Sequence, residues 1–391
     1  MTDLDFDRLL SSRIRRRNLL AGAGALAGFA MTTQFSRRVI AQPRFSAYPF
    51  TLGIASGDPY PTSVVLWTRL APDPLNGGGM PDNDVPIRWQ VATDPNMKRV
   101  VARGTEIAIP ELAHSIRAVV DGLSPNRWYW YQFRAGGEIS PIGRTKTAPA
   151  VRSSPKQFVF AMVSCQHYEQ GFYTAYQHLV EEDLDLVVHL GDYIYEGGPV
   201  ANRPRQHNSA EIISLEDYRN RHALYKTDSS LQAAHGAFPW IVTWDDHEVE
   251  NNYAGEISEI DTEPDQDRAI FRQRRAVAYQ AYYEHMPLRP FSRPVGPDMR
   301  LYRRLTFGNL AEFNVLDTRQ YRTDQPCEDG FKPRCAAVQD PNATLTGPAQ
   351  EKWLLEGLGA SQVRWNVIGQ QVMMAQFDWA AGAPQVFNMD Q

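Results

Sequence analysis

The chain has 391 residues, 43% of them hydrophobic, with 40 basic and 45 acidic side chains and a formal net charge of −5. That length is enough for two or three domains with real cores, and the composition excludes a disordered or fibrous protein. The acidic balance argues against a nucleic-acid partner held by the protein's overall field, while leaving room for a local cationic site that takes a phosphorylated ligand.

Residues 1–41 have the layout of an export signal. "SRIRRRNLLAGAGALAGFAMTTQFSRRVIA" sets Arg13, Arg15, Arg16 and Arg17 before a weakly apolar Ala/Gly-rich stretch, and its ending in "VIA" suggests cleavage after Ala41. Arg16 and Arg17 followed by Asn18, Leu19 and Leu20 resemble a twin-arginine signal. Leu19 stands where an aromatic is usual, and ordinary secretion is the alternative. The expected location is the periplasm or the exterior, with the twin-arginine machinery as a partner and a metal loaded before export. No later segment has the ~18 consecutive apolar residues of a transmembrane helix. Without residues 1–41 there remain 33 basic and 42 acidic side chains, a net −9.

Residues 48–147 read as an all-β domain. Short alternating runs ("SVVLWTRL", "IRWQVAT", "IRAVVDGL") are separated by Pro, Gly, Asn and Asp. An aromatic-rich strand, a glycine turn and a closing strand follow, which suits a fibronectin-like or immunoglobulin-like sandwich. "APAVRSSPKQ", residues 148–157, is the expected linker. From residue 158 the pattern changes to an apolar run "FVFAMVS", a helical "FYTAYQHLVEED" and a second run "LDLVVHL". A polar excursion over 197–213 and two helices come next, with Ser214 and Asp217 as a capping box. The third run, "WIVTW", leads into "DDHE". Alternating apolar strands and helices predict an α/β core with a buried sheet. Beyond it the sequence predicts an amphipathic helix ending before Pro287, a hairpin turning at Gly308–Asn309, a helix in "PAQEKWLLEGL" and a strand in "WNVIGQQVM".

The three apolar runs end in chemistry. In open α/β sheets, ligands collect at the carboxyl ends of strands. The first run ends at Cys165, the second in "HLGDYIYEGG" with Asp192 and Tyr195, and the third in "TWDDHEVENN" with Asp245, Asp246, His247, Asn251 and Asn252. Singly, each has a plainer reading. Gly-Asp is a common turn, Tyr195 an aromatic wall, Asp245 and Asp246 helix caps, and His247 a surface histidine. Together, thiolate, phenolate and carboxylate describe a site for a strongly Lewis-acidic metal, ferric iron fitting best. Asp192 has a second oxygen for another ion, and Asp246 with the nearby amides suits a harder cation such as calcium, magnesium or manganese. Two such ions hold the attacking and leaving oxygens of a phosphoryl transfer. His167, His189 and His235 are expected to be structural, without partners at ligand spacing. Cys327 and Cys335, in the polar loop "QPCEDGFKPRC", are disulfide candidates in an exported chain.

"LGIASGDPYPTSVVLWTRL", "SCQ", "HLGDYIYE", "WDDHEVENN", "AYQAYYEHMPLR", "LDTRQYR" and "IGQQVMMAQ" together resemble the PhoD-like alkaline phosphatases of the calcineurin-like metallophosphatase superfamily. The resemblance runs from the signal onward. It implies an N-terminal β-sandwich followed, over residues 158–391, by an α/β metallophosphatase domain with a β-sandwich core flanked by helices. It also implies an exported hydrolase of phosphate monoesters and diesters, with metal-activated hydroxide attacking a small phosphorylated substrate. Cys165, Asp192 and Tyr195 would bind Fe3+, Asp192 would also reach Ca2+, and Asp246 would serve the calcium side. His247 would be the catalytic histidine. Asp317, Arg319 and Arg322 match a family motif, either as a phosphate clamp or as an internal Asp–Arg pair holding the fold; Asn252 is open in the same way. The superfamily's later "GD-x-H"-type ligand motif does not follow "IGQQVMMAQ", so the metallophosphatase domain is expected to lack its C-terminal part. The alternative function is an inactive fragment or an exported binding module that uses the β-sandwich.

Overall fold

Eight strands form between residues 54 and 146: β1 (Ile54–Tyr60), β2 (Ser63–Arg69), β3 (Val85–Ala92), β4 (Val100–Ala108), β5 (Ser115–Asp121), β6 (Trp128–Ala135), β7 (Glu138–Ile139) and β8 (Gly143–Lys146). They are seen in a computed structural model that describes residues 43–261, 263–328, 330–375, 378 and 386–388. The expected export signal, with Arg16 and Arg17, lies outside the described residues. Strands β4, β3, β6 and β7 make one sheet with β8 added to β6, while β5, β2 and β1 belong to another. Val64, Leu66, Ile87, Val91, Tyr131 and Phe133 fill the core between the two. Alternation puts these residues inside because successive strand side chains point to opposite faces.

The α/β part adds β9 (Phe160–Val163), β10 (Leu186–His189) and β11 (Pro239–Val242), all parallel. Every residue of β10 and β11 is buried, which is why their sequences are continuously apolar rather than alternating. They do not form a sheet of their own. Strand β1 pairs with β11 in parallel, Ser56 opposite Pro239 and Gly57 opposite Trp240, so one six-stranded sheet runs β5–β2–β1–β11–β10–β9. The close approach requires glycine at position 57, where a Cβ would lie 2.6 Å from the Pro287 carbonyl oxygen and 2.8 Å from that of Trp240. The sandwich core and the α/β core therefore share a sheet.

Helices α1 (Thr174–Glu181), α2 (Leu215–Lys226), α3 (Ser229–Ala237) and α4 (Arg268–His285) cover one face of that sheet. The expected capping box forms at the start of α2: Ser214 accepts from the Asp217 N–H, and Asp217 from the Ser214 N–H. The other face meets a three-stranded sheet of β12 (Arg303–Phe307), β13 (Ala311–Val315) and, after β14 (Phe331–Lys332) and helix α5 (Gly347–Ala360), β15 (Trp365–Gly369). Leu186, Val188 and Ile241 pack there on Leu305, Phe313 and Val315. A last short strand, β16 (Phe387–Asn388), pairs with β14. Cys327 and Cys335 are joined by a disulfide. Strands β9 and β15 are the outer strands of their sheets, and Met162 and Trp365 on them are 66% and 64% exposed. No helix among the described residues is long and apolar enough to cross a membrane.

Candidate active site

The carboxyl ends of β9, β10 and β11 converge because their following loops hydrogen-bond to each other. Beyond β9, Cys165 takes a left-handed backbone, and its N–H donates to the Gly191 carbonyl at 3.1 Å. The Gln166 N–H donates in the same way to the Asp192 carbonyl at 3.1 Å. Gly191 has φ +116°, and a Cβ on it would fall 2.3 Å from the Asp245 nitrogen, so only glycine lets the loop after β10 lie against the loop after β11. The buried Glu248 carboxylate then ties the two loops together. It accepts from the backbone N–H groups of Asp192 (3.1 Å), Tyr193 (2.6 Å) and Asp245 (2.9 Å). Glu248→Gln puts an amide donor against one or two of those donors; we expect a loss of about 2 kcal/mol, read as a lower urea midpoint. An unchanged midpoint would show that these bonds do not hold the loops.

Within this frame one oxygen each of Asp192 and Asp246 and one ring nitrogen of His247 lie within 4.8 Å of one another. Asp192 is the centre. Its Oδ2 accepts from the Tyr195 hydroxyl at 2.9 Å, while its buried Oδ1 has no hydrogen-bond partner. Burial, and then the Asp246 charge beside it, push the Asp192 carboxyl up to about 7. Burial and Asp246 likewise raise Asp245 to about 6. Burial opposes the charge on Asp246 as well, but Arg319 and His247 outweigh it and hold that carboxyl down at about 2. Crowded carboxylates and an orphaned buried oxygen are what a cation relieves. The residues present therefore fit a metal.

Cys165 stands beside Asp192, outside the tight trio; partial covering of its thiol, and then the Asp192 charge, push the thiol up to about 12. The Tyr195 hydroxyl is raised further, by burial and by Asp192. Its ring lies 4.1 Å from that of His247 and 4.3 Å from that of His167. His247 Nδ1 is 2.7 Å from Glu196 Oε2, which leaves Nε2 for the pocket. Although burial works against the charged ring, Glu196 and Asp246 raise the His247 pKa well above its ordinary value. The other Glu196 oxygen accepts from the Asn251 N–H at 2.7 Å. Glu196 and Glu248 do not figure among the residues singled out from sequence. Both lie inside the quoted strings "GDYIYE" and "DDHE", and their acidity next to Asp192 and His247 was the available signal.

The "LDTRQYR" residues turn inward. Arg319 Nε donates to Asp245 Oδ1 at 2.6 Å, its Nη1 to Asn252 Oδ1 at 3.1 Å, and its Nη2 lies 3.5 Å from Asp246 Oδ2. Asn252 completes the link, its N–H donating to Asp246 Oδ2 at 2.7 Å. Asp317 accepts from the Arg319 and Gln320 N–H groups at 3.1 and 2.9 Å. Arg322 is buried and donates to the Thr323 carbonyl at 3.4 Å. The Asp–Arg pair that holds this region thus joins Arg319 to Asp245 and Asp246 across two loops. The expectation for His167 needs correcting, because the fold brings it within 4.8 Å of ligand atoms of Glu169 and His207. His189 and His235 are buried in the core.

Two family profiles match the chain: "PhoD-like phosphatase" over residues 160–391 and "PhoD-like phosphatase, N-terminal domain" over residues 34–149. The chain is 56% identical over 385 residues to Alkaline phosphatase D of Bacillus subtilis (strain 168), covering 96% of this chain and 65% of that relative. It therefore spans just under two thirds of the length of that relative. It also superposes on a solved structure of PhoD with a TM-score of 0.86 and 58% identity, over 89% of this chain and 67% of that one. Carboxylates, histidine and tyrosine at two adjoining strand ends agree with these matches, and the chain belongs to the PhoD-like phosphatase family.

Proposed function

We propose that the protein is an exported, metal-dependent hydrolase of phosphoric esters, acting on a small phosphorylated substrate at the Asp192–Asp246–His247 site. The observation that carries this reading is Asp192, whose buried Oδ1 has no hydrogen-bond partner and which brings an oxygen within 4.8 Å of ligand atoms of Asp246 and His247, in a chain of this family. Cys165, Asp192 and Tyr195 would hold Fe3+, with Asp192 and Asp246 holding Ca2+ (Mn2+ or Mg2+ in its place). When bound, the metals supply Lewis acidity to the phosphate oxygens. The chain's own residues do the rest. Glu196 fixes the His247 ring through Nδ1, so Nε2 can hold a proton for the leaving oxygen. Arg319 and Asn252 hold Asp246 in place. Arg319 also partly offsets the charge of Asp245 and Asp246, so an anionic substrate meets less repulsion.

The fold reading that accompanies this is a sandwich over residues 48–147, a linker over 148–157 and a metallophosphatase domain over 158–391. The facing sheets on the two cores support it. Export with cleavage after Ala41 rests on the arginine-led segment at the N-terminus.

The test is hydrolysis of p-nitrophenyl phosphate and bis(p-nitrophenyl) phosphate by the full chain loaded with iron and calcium. EDTA should abolish both, and His247→Asn should lower kcat by about 10²-fold. Sequencing the N-terminus of exported protein should begin at Gln42. Turnover of neither ester by metal-loaded protein would sink the hydrolase reading.

A further inference from the structure

Three separate segments bring carboxylates together beside helix α4. Glu211 lies between β10 and α2, Glu250 follows β11, and Asp261 precedes α4 within the acidic run "GEISEIDTEPDQD" over residues 255–267. One oxygen from each of the three lies within 4.8 Å of the others. In each, one oxygen is engaged. Glu211 Oε1 accepts from Arg274 Nη2 at 2.7 Å. Glu250 Oε1 accepts from Arg274 Nη1 at 3.1 Å and from the Ser258 hydroxyl at 3.0 Å. Asp261 Oδ1 accepts from the Glu263 N–H at 2.8 Å and from Gln266 Nε2 at 3.0 Å. The second oxygen of each makes no hydrogen bond among the described residues, and that of Glu250, a residue 1% exposed, is buried.

Arg274 does not balance these groups. Its guanidinium pairs with Glu211, Glu250 and Asp265, and the fully buried Asp265 keeps Oδ1 without a hydrogen-bond partner. Four carboxylates thus stand around one cation. The neighbouring Arg268 and Arg272 are taken up by Glu256. Burial, opposed by Arg274 and reinforced by Asp265, pushes the Glu250 carboxyl up to about 8. Two orphaned buried oxygens amid surplus negative charge call for a further cation. Every donor left over is a carboxylate oxygen, without nitrogen or sulfur, which suits a hard ion rather than zinc or another transition metal. Magnesium demands near-ideal octahedral geometry and gives up its water reluctantly, whereas calcium takes carboxylates in flexible geometry. Ligands from three segments, one buried, one half-buried and one exposed, are of the kind calcium accepts.

We propose that Glu211, Glu250 and Asp261 form a structural calcium site, which pins the acidic segment 255–267 to the excursion carrying Glu211 and to the turn after His247. It shares no ligand with the Asp192–Asp246 centre and does not depend on the hydrolase reading. Its effect reaches the active-site wall through Asn251, whose side chain donates to Glu259 Oε2 at 2.6 Å and whose N–H donates to Glu196 Oε1 at 2.7 Å.

The experiment strips the full chain with EDTA, reloads it with iron and adds calcium while hydrogen exchange is followed over residues 255–267. With calcium at about ten times its Kd, the opening equilibrium of that segment should fall, and its exchange slow, by about 10-fold. Glu211→Gln/Asp261→Asn should lose this protection and bind one calcium fewer per chain in equilibrium dialysis, with an unchanged circular dichroism spectrum. Glu256→Gln removes a charge from the same segment outside the trio, and should keep both the protection and the ion. Equal calcium stoichiometry and equal protection in wild type and the double variant would overturn the site. So would an equal loss of protection in Glu256→Gln, since the segment would then respond to charge alone. Magnesium protecting the segment as well as calcium does would overturn the choice of ion.

Discussion

Asp192→Asn is expected to abolish activity, lowering kcat/KM by about 10⁴-fold or more, on the order of 5 kcal/mol of lost transition-state stabilisation. No other side chain reaches as many of the site's parts. One oxygen accepts the Tyr195 hydroxyl, the other is buried without a hydrogen-bond partner, and one of the two lies within 4.8 Å of ligand atoms of Asp246 and His247. The asparagine keeps the size and the backbone hydrogen bonds to Glu248 and Gln166, so the fold should survive. It removes the negative charge and points an amide N–H at one of the two oxygen positions, which repels a cation. Elemental analysis should show at least one metal lost per chain, alongside an unchanged circular dichroism spectrum. Full metal occupancy with lost activity would assign Asp192 to substrate or proton handling. Retained activity would remove it from the centre of the site.

Asp58→Ala is expected to be the most damaging single change to stability. Asp58 lies on β1, 1% exposed, and its Oδ1 accepts from Arg303 Nε at 2.9 Å and Nη2 at 2.7 Å. Arg303, on β12, is 6% exposed and also donates to the Val242 carbonyl at 3.0 Å and the Leu301 carbonyl at 3.0 Å. Arg289 adds a second guanidinium, donating to the Asp58 carbonyl at 2.8 Å. Truncating Asp58 would leave the buried Arg303 guanidinium without its carboxylate, while Arg289 would keep its bond to the backbone carbonyl. Breaking a buried pair by removing one partner costs about 3–5 kcal/mol, far more than an exposed pair is worth. The urea midpoint should fall accordingly. The double change Asp58→Leu/Arg303→Met should recover much of the loss, because a buried ion pair can often be replaced by apolar side chains of similar size. A single-variant loss under 1 kcal/mol would mean that water already compensates the unpaired Arg303 guanidinium.

The ionic tie explains how the first strands and the later sheet form one unit. Residues 58 and 303 are separated by 245 positions, and no periodicity links them. The string "ASGDPY" was visible in the sequence as part of a family resemblance. That its aspartate is buried under a guanidinium from β12 was not.

The sequence alone determined the local elements and the chemistry at their ends. Buried strands such as β10 and β11 must be continuously apolar, and sandwich strands must alternate, so both kinds are readable from period. The cap of α2 is written in Ser214 and Asp217, because a helix start needs acceptors for its first N–H groups. Asp192, Asp246 and His247 could be marked because each follows an apolar run, where parallel sheets deposit polar residues.

Tertiary structure alone decided the pairings. Period says which face of a strand is buried but not which strand lies beside it, so the parallel pairing of β1 with β11 was hidden in a stretch that reads as a separate sandwich. The roles of Glu196 and Glu248 depend on which imidazole and which backbone N–H groups face them, and those come from different loops. Arg319 sits in a motif with Asp317, yet its guanidinium reaches Asp245 and Asp246 because the end of β11 lies closer to it in space than its own neighbours' side chains allow. Charge and hydrogen bonding act over a few ångströms regardless of chain distance. Sequence patterns report only what is near along the chain.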